Sequence, residues 1–220
     1  MDKKATWDRF YTENSSRMPE FENFEWFFGF NSVQDFIMPF LRSRSSSDTL
    51  VRVLDMGCGT SAFGPSIYRH SPFPVRVTCA DISPVAVQLM QESIRAKAAA
   101  PQNPSSQLEV LELDCTELCG YFGSNSVDLI VDKGTTDALL RSREGQGKAS
   151  QVLKQCLRVL RSDGSLLQFS DEDPDARLLW LESEGREPGV TAADVGVHEI
   201  GEMRGMHYYC YQVTPRPVLH

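Results

Sequence analysis

The 220-residue sequence predicts an α/β fold on a mainly parallel sheet, preceded by a helical segment unusually rich in aromatic rings. Three observations lead there. Short apolar runs alternate with helical periodicity from about residue 50 to residue 170. The stretch Val51-Arg-Val-Leu-Asp-Met-Gly-Cys-Gly-Thr60 reads as a buried strand that stops at a Gly-x-Gly turn and runs into a helix capped by Thr60-Ser61-Ala62. Acids also stand at or just beyond the ends of successive strands, at Asp55, Asp81, Asp114, Asp132 and Asp171. In an open α/β sheet ligands bind outside those carboxyl ends, so the acids converge on one region.

In chain order, residues 1–48 are expected to form a helical extension and 49–220 the ligand-binding domain. Trp7, Phe10 and Tyr11 share one helix face, and Val33, Phe36, Ile37 and Phe40 repeat that spacing. Ser32 is the expected N-cap of this second helix, and Pro39 is expected to kink or end it. Such faces dock on a core. The run Glu25-Trp26-Phe27-Phe28-Gly29 carries more large rings than core packing needs. Trp26 and Phe27 are therefore candidates for the wall of a pocket beside a cation. Residues 42–48 hold no apolar side chain and read as a linker.

Strand one covers about 50–55 and a helix follows near 61–70. Gly57 and Gly59 let the backbone take unusual dihedrals and let a ligand lie against the main chain. Strand two is Val75–Asp81, after which Ser83 and Pro84 open a helix over about 84–99. Strands three and four are expected at 108–113 and 127–132. A short helix, an Arg/Gly-rich loop at 141–148 and a helix at about 149–161 lead through Asp163-Gly164 to strand five at 165–169. Runs near 195–200 and 207–213, joined by a glycine-containing turn, predict a terminal hairpin.

Composition narrows the function. Hydrophobic content of 41% and charged content of 24% are ordinary for a globular protein, and no apolar run has the length of a transmembrane helix. A net charge of −8 argues against a general nucleic-acid binder and suits a partner presenting lysine or arginine. The six cysteines contain no C-x-x-C pair, which argues against zinc and a disulfide scaffold and points to a reducing interior. The segment Met-Asp-Lys-Lys-Ala-Thr-Trp-Asp has the features of neither a secretory signal nor a transit peptide.

Gly57, Gly59 and Ala62 fit the G-x-G-x-x-G/A pattern, which does not by itself choose between adenosine cofactors. Asp55 at the strand end would repel a pyrophosphate and suits a ligand bearing an amino group, such as the methionine moiety of S-adenosylmethionine. The alternative is that Asp55 only bonds turn amides. Asp81, 22 residues after Gly59, stands at the offset where an acid accepts hydrogen bonds from a ribose diol. Asp114, with Cys115 beside it, is placed to meet an adenine amino group, or is a loop aspartate.

Val53-Leu-Asp-Met-Gly-Cys-Gly-Thr60, Asp81, Leu113-Asp-Cys115 and the late hairpin together resemble the seven-stranded class I S-adenosylmethionine-dependent methyltransferases over about 50–213. The resemblance implies a Rossmann-like sheet of order 3-2-1-4-5-7-6, strand seven antiparallel, with helices on both faces. It places Asp55, Gly57, Cys58 and Gly59 along the methionine moiety, Asp81 at the ribose and Asp114 with Cys115 at the adenine, with Thr60 and Ile82 as further cofactor contacts. More narrowly, Trp7-Asp-Arg-Phe-Tyr11, Phe24-Glu-Trp-Phe-Phe-Gly29 and Asp132-Lys-Gly-Thr-Thr-Asp-Ala-Leu139 resemble the methyltransferase-like protein-lysine methyltransferases, which modify elongation factor 1A or citrate synthase. Asp81-Ile-Ser-Pro-Val-Ala-Val87 and Leu167-Gln-Phe-Ser-Asp-Glu-Asp-Pro-Asp-Ala-Arg-Leu178 are most similar to the mitochondrial members acting on citrate synthase. The resemblance implies a mitochondrial matrix location; without it the cytoplasm is the default.

Asp132, ending strand four, is then expected to capture and orient the substrate lysine, with Lys133 and Thr135 shaping the loop. Asp171 and the acids after it either form a solvated face or helix start, with Pro174 at the first helical position, or face a basic substrate surface. The competing readings are a small-molecule methyltransferase, a NAD(P)-dependent oxidoreductase and a catalytically silent cofactor-binding module. Asp55 and the lack of an obvious Tyr-x-x-x-Lys relay count against the oxidoreductase.

Overall fold

Val51, Val53, Leu54 and Met56 are all buried, as a parallel strand covered on both faces requires. That strand, β1 (Val51–Met56), is central in the computed structural model, which describes residues 3–17, 24–42, 50–97, 100–185 and 193–216. The other strands are β2 (Val75–Asp81), β3 (Gln107–Glu112), β4 (Val127–Lys133), β5 (Leu160–Ser170), β6 (Ala193–Met203) and β7 (Met206–Pro215). They form one sheet of order β3-β2-β1-β4-β5-β7-β6. Pairing is parallel from β3 to β5, and β7 runs antiparallel to both β5 and β6. The implied architecture is thus present. The strand order reverses between β1 and β4, which opens a crevice at their carboxyl ends.

Helices α1 (Lys4–Arg17), α2 (Gln34–Arg42), α3 (Phe63–His70), α4 (Pro84–Lys97), α5 (Leu118–Tyr121), α6 (Thr135–Leu140), α7 (Arg143–Val159) and α8 (Pro174–Glu184) surround the sheet. Strand alternation splits the core in two. Val53, Val77, Leu129 and Val131 pack with Phe63 and Ile67 of α3, whereas Leu54, Met56, Ile130 and Leu166 pack with Val152, Leu153, Cys156 and Leu157 of α7. The N-terminal segment completes the first core, because Phe28, Phe30, Ile37 and Leu41 are buried in it. Burial of each such side chain contributes roughly 1.5–3 kcal/mol, so the segment is anchored by its own apolar face.

Several local expectations change. Pro39 lies inside α2, which continues to Arg42. Burial of Val33, Ile37 and Leu41 offsets the ~3 kcal/mol that an interior proline costs. Ser32 belongs to a 3-10 turn (Phe30–Ser32), and the carbonyl of Val33 receives the first amides of α2. The Arg/Gly-rich stretch at 141–148 is not a loop: α7 begins at Arg143, where Ser142 caps it by accepting from the amide of Gly145. A side chain at Gly145 would strike the carbonyl of Leu139, so this glycine serves close α6–α7 packing. Asp163-Gly164 falls within β5, where pairing with β4 jumps from Leu160 to Ser165. In the hairpin, Arg204 and Gly205 both take positive φ (55° and 79°), as a tight two-residue turn requires. Arg42, expected in the linker, ends α2, and the rest of that linker and the boundary at 48/49 lie outside the described residues.

Candidate active site

Where β1 ends, the chain bends sharply at Gly57 (φ 63°) and Gly59 (φ 54°). A Cβ on Gly57 would collide with the hydroxyl of Thr135, and one on Gly59 with the hydroxyl of Tyr11. The two glycines therefore let α6 and α1 close on the bend. The carboxylates around it are tied to backbone. Asp81 accepts from the amide of Gly59 through Oδ2 and from that of Ser83 through Oδ1, both at 2.8 Å. It thus couples the bend to the start of α4. Ser83 donates to Asp8 of α1 at 2.6 Å, which seats the N-terminal helix on the same corner. Asp114 accepts from the amide and hydroxyl of Thr116, capping the 3-10 turn Cys115–Glu117.

Asp55 accepts from the amide of Gly64 in α3 at 2.9 Å and also faces the cavity. The turn-amide role and a ligand-facing role therefore coexist in one side chain. Burial pushes its carboxyl up to about 7, against the pull of Lys133, and pushes Asp81 up to about 6. A carboxyl raised in the folded state binds protons there more readily than in the unfolded chain. Stability then falls as pH rises from about 4 toward 7, by up to about 1.4 kcal/mol per pH unit per group. Without ligand, Asp55→Asn is expected to flatten the fall in Tm between pH 5 and pH 8. A variant whose Tm falls as steeply as wild type would show that Asp55 ionises as an ordinary carboxylate.

Over these strand ends lies a cleft with about 1200 Å³ of free space, part of it open to solvent. Asp55, Gly57, Cys58, Gly59, Thr60, Asp81, Ile82, Asp114 and Cys115 all line it. So do Trp26 and Phe27, together with Trp7, Tyr11 and Phe24 of the N-terminal segment. Burial raises the thiols of Cys58 and Cys115 well above the ordinary range, so they face the cleft as neutral groups.

Two expected residues stand elsewhere. Asp132 is 1% exposed and does not line the cleft. Its carboxylate accepts from the amides of Thr135 and Thr136, from the hydroxyl of Thr136 and from Gln168 Nε2. It therefore caps α6 beneath the cleft, on the α7 side of the sheet with Ile130. Asp171 does not line the cleft either. In the acidic run after β5, Asp173 caps α8 by accepting from the amide of Asp175, and Glu172 pairs with Arg177.

The geometry adds residues that sequence reasoning missed. Glu25, the acid among the rings, accepts from Ser61 Oγ, the amide of Ala62 and Lys133 Nζ at 2.7–2.8 Å. Lys133 also donates to the carbonyl of Trp26, so this one ammonium ties the N-terminal segment to the end of β4. Phe27 takes a left-handed φ of 63°, with the amide of Phe28 bonded back to the carbonyl of Trp26. Such a turn around a bulky residue costs on the order of 1–3 kcal/mol and aims the Phe27 ring at Gly134 and at Tyr208, the latter 5.4 Å between centroids. Asp137 of α6 lines the cleft and pairs with the buried Arg177 at 2.9 Å. The only sequence signal for this pair is its place within the two quoted motifs.

Comparison with known proteins agrees with this geometry. Residues 47–183 match the methyltransferase domain family. A zebrafish (Danio rerio) protein named mitochondrial citrate synthase-lysine N-methyltransferase is 63% identical over 221 residues, spanning 100% of this chain and 86% of the relative. The chain belongs to the citrate synthase-lysine N-methyltransferase family. A human member of that family is 39% identical, over 96% of this chain and 85% of its own. Mouse EEF1A lysine methyltransferase 4 is more distant, at 28% identity over 93% and 72%. Among solved structures, a Pyrococcus horikoshii protein superimposes with a TM-score of 0.61 at 15% identity, covering 93% of this chain and 99% of that one. A TehB-like methyltransferase from Corynebacterium glutamicum gives 0.52 at 14%, covering 81% and 86%. These two likenesses show the fold of the chain alone.

Proposed function

We propose that the protein transfers methyl groups from S-adenosylmethionine to a lysine of citrate synthase in the mitochondrial matrix. The observation that carries this reading is the 63% identity along the whole chain to a protein of that name. The gathering of the cofactor candidates around one cleft supports it. The donor set fits the cofactor: acids flank the glycine bend, which suits a sulfonium and an ammonium and would repel a diphosphate. In this reading the bend lies under the methionine moiety with Asp55 near its amino group. Asp81 accepts from the ribose diol, Ile82 and Cys115 face the adenine, and Asp114 accepts from its amino group. Residues 1–48 act as a lid, whose rings close the cleft and whose Glu25 locks onto Lys133.

Bound S-adenosylmethionine supplies an electrophilic methyl group; the protein's own task is positioning, exclusion of water and delivery of a neutral amine. An ordinary lysine has a pKa of about 10.4, so roughly one in several hundred is neutral near pH 8. Exclusion of water from a partly apolar pocket disfavours the ammonium and raises that fraction. With S-adenosylmethionine held at the bend, the cofactor would supply the methyl group and keep the carbon–sulfur electron pair, while the cleft would align the lysine nitrogen with the methyl carbon and one proton would leave to water per transfer.

The experiment is intact and peptide mass spectrometry of purified citrate synthase incubated with the protein and S-adenosylmethionine. Added methyl groups on one lysine are expected. Unmodified citrate synthase, beside methylated elongation factor 1A or a methylated small molecule, would overturn the assignment.

A further inference from the structure

We propose that Asp137, not the acid at the end of β4, receives the substrate lysine, with Arg177 and Ser170 as its positioning residues. The inference rests on the lysine-methyltransferase reading above. Among the described residues four carboxylates line the cleft: Asp55, Asp81, Asp114 and Asp137. The first three stand at or just past the ends of β1, β2 and β3, the half of the sheet that carries the glycine bend. Asp137 belongs to the other half, where α6 meets the end of β5. An amine that attacks in line must approach from the side opposite the departing sulfur, hence away from the half that holds the cofactor.

Its geometry suits that task. Oδ1 of Asp137 accepts from the hydroxyl of Ser170 and from Arg177 Nη2. No hydrogen bond from the described residues is drawn to Oδ2, although the side chain lines the cleft. Arg177 is 0% exposed and is itself held by Glu172 and by the ring of Tyr211, 5.5 Å from the guanidinium carbon. A guanidinium locked in this way fixes the rotamer of Asp137 and leaves one carboxylate oxygen to a visiting cation. Phe27, also on the cleft and packed on Tyr208 of β7, brings a ring face to the same half of the sheet. Capture leaves the carboxylate hydrogen-bonded to the amine while the amine's proton passes to water before transfer.

The groups facing Asp137 are Arg177 on α8, which favours its ionised form, and Asp132 and Asp171, which oppose it. Burial dominates and pushes the carboxyl up to about 6. Its capture function should therefore fade as pH falls through that value.

The test uses the full chain with citrate synthase and measures kcat/KM against pH, S-adenosylmethionine affinity by calorimetry, and Tm. Asp137→Asn retains an acceptor for Ser170 and Arg177 but loses the charge. It is expected to leave cofactor affinity within about twofold, to lower kcat/KM about 30-fold or more, and to remove the acid limb near pH 6. Wild-type turnover in the variant, or equal loss of cofactor binding and turnover, would overturn the proposal. Should that variant not fold, Ser170→Ala, which loosens Asp137 without changing its charge, is expected to raise KM for citrate synthase at unchanged cofactor affinity. An unchanged KM there would overturn it equally. Wild type run alongside separates the two levels. No transfer by wild type sinks the function itself, whereas active wild type with active Asp137→Asn sinks only the role of Asp137.

Discussion

Asp81→Ala is expected to weaken S-adenosylmethionine binding by about a hundredfold or more. Two losses combine. The ribose diol loses its acceptor, and the amides of Gly59 and Ser83 lose the carboxylate that holds the bend against the start of α4. Hydrogen bonds to a charged group contribute about 1.5–3 kcal/mol each, so the loss of two already exceeds a hundredfold in affinity. Asp81→Asn, which keeps one acceptor oxygen, should fall between alanine and wild type. Calorimetric titration measures both, and near-wild-type affinity in Asp81→Ala would remove Asp81 from the cofactor site.

The second large effect concerns stability. Asp132→Ala leaves the amides of Thr135 and Thr136 and the hydroxyl of Thr136 without their buried acceptor, while Gln168 Nε2 keeps its bond to Thr136 Oγ1. Unsatisfied buried donors cost about 1–3 kcal/mol each, offset in part because an acid raised by burial no longer has to be kept there. A net loss of about 2–4 kcal/mol follows, or roughly 5–15 °C in Tm for a chain of this size. Cofactor affinity and turnover should decline together, since Thr135 also braces the bend by donating to the carbonyl of Met56. An Asp132→Ala protein with unchanged Tm and cofactor affinity but no turnover would return Asp132 to the chemistry.

What was legible in the sequence follows from how local its cause is. The glycine bend, the strand-end acids at 55, 81 and 114 and the terminal hairpin are each specified by a few neighbouring residues, and all stand where expected. The direction of Asp132 was not legible. Both faces of β4 are apolar, so its pattern does not say which face α7 covers and which the N-terminal segment covers. Only tertiary packing sends Asp132 under α6 and Lys133 toward Glu25, a partner 108 residues earlier. The pair Asp137–Arg177 spans 40 residues and likewise leaves no periodic trace. The 141–148 stretch misled for a different reason: Gly145 and Gly147 oppose helix by about 1 kcal/mol each, yet the Ser142 cap and contact with α6 prevail.

The most direct measurement is a crystal structure of the protein with S-adenosylhomocysteine, the product of transfer, soaked or co-crystallised. The account predicts the thioether sulfur over the Gly57–Gly59 bend, the ribose diol on Asp81, the adenine against Ile82 and Cys115, and a path from sulfur to solvent bordered by Phe27 and Asp137. Product bound on the β5–β7 side, or a bend closed to it by protein side chains, would contradict that account.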